Sequence, residues 1–256
     1  MTSTSLHDDR PQAVAYADRW GRLTDDVEWL WPGWLAAGCV VAVEGDPGSG
    51  KSSIAADIVA RLTTGSAMPD GARGSRHDRP TDCVVVSIGG DPPDLTRGRL
   101  RVAGADPSRC HAPIFRHWAG DDLDLPDDMW RLEWVVRDAG AHAVVVIDPL
   151  AGVLSSGDPF IARRVLFTLG RIAEKSAATV LVTTHGIDTD ATLTAARVVW
   201  SVWHDGGAAT SPRSLRVVKS NLGPRPQPLT FRLTGDGATG STTVEPARVE
   251  WKPTTT

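Results

Sequence analysis

Cysteine and lysine are scarce in this 256-residue chain, long apolar runs are missing, and each shortage excludes something. The three cysteines, Cys39, Cys83 and Cys110, lie far apart and form no C-x-x-C pair. An odd, sparse count of this kind excludes a disulfide framework and points to a reducing cytoplasm. Cys39 and Cys83 fall in or beside predicted strands and read as buried thiols. No window approaches the roughly 18 uninterrupted apolar residues of a membrane span, and the N-terminus lacks a charged-then-apolar signal pattern. A soluble, cytoplasmic protein with no membrane partner is therefore expected. Net charge is −4, so a global basic footprint for nucleic acid is absent. Any such contact has to be local, at a pore or on one face. No internal repeat is visible. With 41% hydrophobic residues the chain can bury one sizeable α/β core.

What is present is concentrated between residues 40 and 62, VVAVEGDPGSGKSSIAADIVARL. An apolar run from Val40 to Val43 leads into Gly45-Asp46-Pro47-Gly48-Ser49-Gly50-Lys51-Ser52, and an amphipathic run follows from Ser53. This is the phosphate-cradling pattern G-x-x-x-x-G-K-[ST] between a predicted strand and a predicted helix. Glycines let successive N–H groups turn inward as an anion nest, and the helix start directs its positive dipole end at the same place. In that pattern Lys51 reaches the β/γ-phosphates and the Ser52 hydroxyl holds Mg²⁺. The plain alternative is a glycine-rich turn that matches by chance. Only 4 lysines stand against 23 arginines, and one of the four occupies the required position.

Along the chain, residues 1–28 read as a loose polar arm, 29–235 as one ATPase domain and 236–256 as a Thr- and Gly-rich tail, ordered only near Val244 to Trp251. Trp29, Trp31 and Trp34 form either a hydrophobic plug under the sheet or a lid on adenine or a neighbouring subunit. Helices are predicted over 52–62, 94–103, 124–139 and from Asp158-Pro159 onward, the last burying Phe160, Ile161, Val165, Leu169 and Ile172. Strands are predicted over 83–88, 113–118, 142–148 and 179–185, then near 197–203, 214–219 and 229–233. The alternation means a mostly parallel sheet with right-handed crossovers, extended by the final three strands in antiparallel fashion.

A phosphate loop needs a second acid at the end of another strand to organise Mg²⁺. Val144-Val145-Val146-Ile147-Asp148 supplies one, although a strand can also end in Asp simply before a turn. The next residue is Pro149, where many ATPases carry a water-activating glutamate.

In order, GDPGSGKSS, VVVSIGGDPPDLTRGRLRVAGAD, VVVIDPLAG, TTHG and VVKSNLGPRPQPLTFRL resemble RecA-like P-loop ATPases of the RepA replicative-helicase type, AAA-type ATPases of plasmid and phage replication proteins. The resemblance spans about residues 29 to 233. It implies a RecA-like P-loop NTPase fold, Mg-ATP as cofactor, and a homo-oligomeric ring or filament, a hexamer if family-like. Single-stranded DNA or a replication or recombination protein are the partners it suggests. In that family the water-activating glutamate precedes an aspartate at the end of the second strand; here the pair is Gly90-Asp91. Asp91 is then a substitute base or a turn and cap residue. His185 corresponds to the γ-phosphate-sensing histidine or merely caps a strand. Lys219 corresponds to a position that reaches a neighbouring subunit's γ-phosphate, with Arg197 and Arg225 as weaker candidates, or is a solvated strand-end lysine. The family's long, basic DNA loop is replaced by the short Gly186-Ile187-Asp188-Thr189-Asp190.

The expectation is thus a Mg-ATP-binding, oligomeric ATPase coupled to DNA-related work. The alternative is an ATP-binding switch or assembly module with weak hydrolysis, because position 90 lacks the acid. A P-loop kinase is the third class, with Arg73, Arg76 and Arg79 as its one lid-like feature.

Overall fold

The computed structural model describes residues 27–76, 79–87, 93–113, 123–185, 194–204, 211–235 and 246–252. Among the described residues, nine strands form the main sheet. They are β3 (Val40–Glu44), β4 (Cys83–Val86), β5 (Cys110–His111), β6 (Val144–Ile147), β7 (Thr179–Thr184), β8 (Val198–Trp203), β9 (Arg213–Ser220), β10 (Leu229–Thr234) and β11 (Arg248–Trp251). The order is β11-β10-β9-β8-β3-β7-β6-β4-β5. A separate hairpin pairs β1 (Trp29–Trp31) with β2 (Leu35–Ala36). Four α-helices among the described residues flank these strands: α1 (Lys51–Thr64), α2 (Pro93–Ala103), α3 (Met129–Asp138) and α4 (Pro159–Ser176).

Side chains alternate across the sheet, so each strand feeds two cores. Val41, Val43, Val85 and Leu181 face α1, whose Ile54, Ile58 and Leu62 form the predicted stripe. Val40, Ala42, Val145 and Val180 face α3 and α4. The hairpin closes the α1 side. Trp31 and Trp34 stack at 4.7 Å, Trp200 meets both edge-on at 5.6 and 5.8 Å, and all three are fully buried. The Trp200 Nε1 donates to the Trp34 carbonyl at 3.0 Å, and the Trp31 indole donates to Asp70. Trp31 and Trp34 are therefore core plugs and not lids; Trp29 is only partly buried at their margin.

Five expectations need correction or comment. First, β8 runs parallel to β3, not antiparallel, because the chain crosses from β7 over β3 before entering it; only β9, β10 and β11 are antiparallel. Second, α3 begins at Met129 rather than near 124. Leu125 exchanges backbone bonds with Val153 and Ser155, and a residue before proline disfavours helical backbone. Third, Phe160 is 68% exposed; Ala162, Val165, Leu166, Leu169, Ile172 and Ala173 make the buried side of α4. Helical geometry turns residue 160 well away from the stripe that holds 165 and 169. Fourth, the strand expected at 113–118 lies, apart from Pro113, outside the described residues, and β4 pairs instead with Cys110–His111. Fifth, the part of the tail expected to be ordered, near Val244 to Trp251, supplies a further strand, Arg248–Trp251, which joins the sheet on β10.

Candidate nucleotide-binding site

The parallel strands β3, β7 and β6 bring their C-terminal ends to one edge, and the glycine-rich loop leaves from β3, which lies between β8 and β7. Gly45 has a φ of +153°, and a Cβ there would meet the Val202 carbonyl at 2.6 Å and Ser49 Oγ at 2.9 Å. Gly50, at φ +103°, is the cap from which α1 departs, and it carries no side-chain cap. The first N–H groups of α1 therefore keep their donors for an external acceptor. Asp46, Pro47 and Gly48 form the exposed tip, while Ser49 and Lys51 are buried and Ser52 and Ser53 half-buried.

Lys51 is 7% exposed. Its Nζ donates to the Gly45 carbonyl at 2.7 Å and the Asp46 carbonyl at 2.8 Å, with Ser49 Oγ at 3.5 Å. Burial lowers its pKa, opposed by the nearby Asp148 and Asp46 carboxylates. An ammonium held by two neutral carbonyls inside the loop can exchange them for anionic phosphate oxygens, which bind it more strongly.

Ser52 Oγ donates to Asp148 Oδ1 at 3.1 Å, joining residues 96 positions apart. Thr183, on β7, also donates to Asp148 Oδ1. A hydroxyl and a carboxylate meeting at the loop are the hard oxygen donors that Mg²⁺ prefers, its remaining positions being filled by water and substrate phosphate. The described residues hold no cluster of three or more His, Cys, Asp or Glu suited to a metal. A cleft between α1 and α2 opens beside Ser52 and Asp148 and is lined by Thr96 and Arg99.

The other predicted residues are placed unevenly. His185 is exposed, one residue past Thr184, which pairs with Glu44; it stands at the loop edge. Lys219 does not. It pairs with Val199, which pairs with Ala42, two residues back from that edge and two strands from β3. Its Nζ donates to the Ala196 carbonyl at 2.6 Å, and burial, then Arg197, lowers its pKa. Arg225 donates to the Val218 carbonyl. Gly90 and Asp91, like residues 186–190, lie outside the described residues. Arg73, Arg76 and Arg79 line a cleft with Arg61, Gly65 and Ser66 at the end of α1 away from the loop. An α-helix of this length puts them about 20 Å from the glycine-rich loop.

Two residues escape the sequence reading. Arg213, 7% exposed, donates from Nη1 to the Gly48 carbonyl at 2.8 Å and ties β9 to the tip of the loop. Burial lowers its pKa. Glu44 sits directly before Gly45, level with Thr184 and Ser201, and burial raises its carboxyl pKa. No pattern signals Arg213; Glu44 was legible only as the polar end of an apolar run.

The model of the AAA domain family matches residues 10–190. The chain belongs to that family. Membership accounts for the loop pattern, since an AAA domain implies an ATPase that binds nucleotide, usually with Mg²⁺. A search of curated proteins returns no match to the chain. Among the described residues of this AAA domain protein, no helix is long and apolar enough to cross a membrane.

Proposed function

We propose that this AAA domain protein is a RecA-like P-loop ATPase of the RepA replicative-helicase type, working as a homo-oligomer that couples Mg-ATP turnover to DNA-related work in the cytoplasm. The observation that carries it is the 3.1 Å bond from Ser52 to Asp148 beside the buried Lys51 ammonium. Gly45 to Ser53 cradle the phosphates with backbone N–H groups, Lys51 binds the β/γ-oxygens, and Ser52 with Asp148 hold Mg²⁺, which neutralises charge on the triphosphate. His185, at the same edge, senses the γ-phosphate. Asp91 takes the place of the missing base. Lys219, directed away from its own loop, serves a neighbouring subunit.

A second reading, an ATP-binding switch with little hydrolysis, is favoured by one feature: Gly90 stands where the family carries its glutamate. Removing a general base typically costs about 10²–10⁴ in rate.

The deciding experiment measures ATP affinity and phosphate release for the wild type and Lys51→Ala, each with and without single-stranded DNA. Loss of the charge-assisted bonds should weaken ATP binding at least about 10-fold. Phosphate release above the Lys51→Ala control, raised by DNA, supports the motor. Tight binding with release no higher than that control selects the switch, and Gly90→Glu should then raise turnover. Equal ATP affinity in wild type and Lys51→Ala overturns both readings.

A further inference from the structure

Among the described residues, five large apolar side chains are exposed: Trp130 (69%), Trp134 (64%), Phe160 (68%), Phe167 (45%) and Trp203 (57%). Four of the five lie on α3 and α4, which pack against each other and cover one side of the sheet. Trp130 and Trp134 are one turn apart on α3. Phe160 and Phe167 are two turns apart on α4, with the Arg163 guanidinium 5.5 Å over the Phe167 ring. A cluster of this size on an outer surface marks a contact site.

The two segments carry net charges of opposite sign: residues 124–138, which are α3 with its approach, hold five acids and two arginines, and residues 158–176, which are α4 with its cap, hold four bases and two acids, although α3 by itself is neutral. Around the tryptophans, Asp124, Asp127 and Asp138 are exposed, and Arg137 is paired with Glu133 at 2.7 Å. Around the phenylalanines, Arg163, Arg164, Arg171 and Lys175 are exposed against two acids, Glu174 and the cap Asp158. Phe160, Arg163, Arg164, Phe167 and Arg171 follow the i, i+3, i+4, i+7 rule and make one stripe. An acidic tryptophan stripe therefore lies beside a basic phenylalanine stripe.

Such a face is complementary to itself. Both helices run from the C-terminal edge of the sheet back to its N-terminal edge, since α3 leads into β6 and α4 into β7. A two-fold axis along the groove between them lays α3 of one copy on α4 of the other, acid on base, in both halves at once. We infer that this face is an isologous dimer interface whose occupant is a second copy of the chain. The 18-residue α4 is about 27 Å long, and with α3 beside it the face offers on the order of 500 Å² per copy. That gives about 1,000 Å² in total, at the lower limit of a specific interface, so a reversible dimer is expected. Neither the phosphate loop nor Lys219 takes part, and the inference does not rest on the nucleotide reading.

Charge reversal on one stripe at a time tests it. One variant carries Arg164→Glu and Arg171→Glu; the other carries Asp127→Lys and Asp138→Lys. All four positions are exposed, and circular dichroism melting confirms the fold of each. Sedimentation velocity is run on the full chain without nucleotide, so that nucleotide-driven assembly does not contribute. The wild type should dimerise, each variant alone should be monomeric, with a dissociation constant raised at least about 100-fold, and an equimolar mixture of the two should recover the dimer. Trp130→Ser with Trp134→Ser should also give a monomer. A wild type that stays monomeric at high micromolar concentration overturns the proposal, as do reversal variants that still dimerise alone or fail to pair with each other. Single-stranded DNA binding that is lost with the Arg164→Glu and Arg171→Glu pair, while association is unchanged, assigns the face to nucleic acid and overturns it equally.

Discussion

The two sides of the sheet both gather aromatic rings, but they do opposite things with them. On the α1 side, Trp31, Trp34 and Trp200 are fully buried, and Phe231 lies 5.2 Å from Trp251 under the last strand. On the α3–α4 side, Trp130 and Trp134 stand in solvent. The difference is one of cover. The α1 side receives two additions beyond the alternating strands and helices: the hairpin of residues 29–36, and β11, whose Trp251 Nε1 donates to Asp57 on α1 at 2.8 Å. The α3–α4 side receives no such addition among the described residues. A tryptophan count therefore says little about a core until its cover is known. Here the same residue type serves packing on one side and a contact surface on the other.

The largest effect that could break this comparison is a truncation on the closed side. Trp200→Ala should destabilise the protein by about 3–5 kcal/mol, since it opens a cavity among three interlocked rings and removes a bond to the Trp34 carbonyl. Trp134→Ala should fall within about 0.5 kcal/mol of wild type, as exposed substitutions do. Guanidinium unfolding of both variants at a concentration where the protein is monomeric measures the contrast, and equal midpoints would erase it.

A smaller effect sharpens the role of the cover. Asp57 Oδ2 accepts from Trp251 Nε1 at 2.8 Å and from Arg61 Nε at 2.8 Å, so one carboxylate pins the last strand to α1. Asp57→Ala should cost about 1–3 kcal/mol by leaving both donors without that acceptor. Thermal melting checks this; Trp251→Phe, which keeps most of the ring, should cost less than Asp57→Ala.

The smallest effect needs no mutation. All three cysteines lie on the α1 side. Burial pushes the Cys39 thiol up to about 12, against Arg197, and raises Cys83 and Cys110 as well, but Cys110 is only half-buried and so is the accessible one. Thiolate is the reactive form. A maleimide at neutral pH should therefore label Cys110 first and leave Cys39 and Cys83 untouched until unfolding, as read by mass spectrometry of digested protein. Early labelling of Cys39 would mean that the hairpin opens in the native state.

Legibility divided along physical lines. Ser52 and Asp148 were both readable because each belongs to a short local pattern, Ser52 to the glycine-rich loop with its lysine and Asp148 to an apolar strand run ending in a polar group. Their meeting at 3.1 Å follows from two parallel strands that end at one edge. Arg213 was unreadable, since it reaches Gly48 across 165 positions and nothing beside it in the chain marks it. Lys219 was readable as a polar strand residue, yet which edge of the sheet it occupies depends on the β8–β9 register. The direction of β8 depended on a crossover, and short links to β9 and β10 gave no warning of it. Phe160 was placed in the core by type alone, although helix periodicity sets it outside.

By itself the sequence determined the elements and the nucleotide chemistry: period-2 and period-3.6 patterns choose strands and helices, and a glycine-rich loop with its lysine is a local device. Tertiary structure alone decided how those elements are covered and which distant groups meet. It put Arg213 on the loop, sent Lys219 two strands away, buried one set of tryptophans and left another exposed. The reason is that pairing order, register and cover are set by contacts between residues far apart in the chain, and no local pattern encodes them.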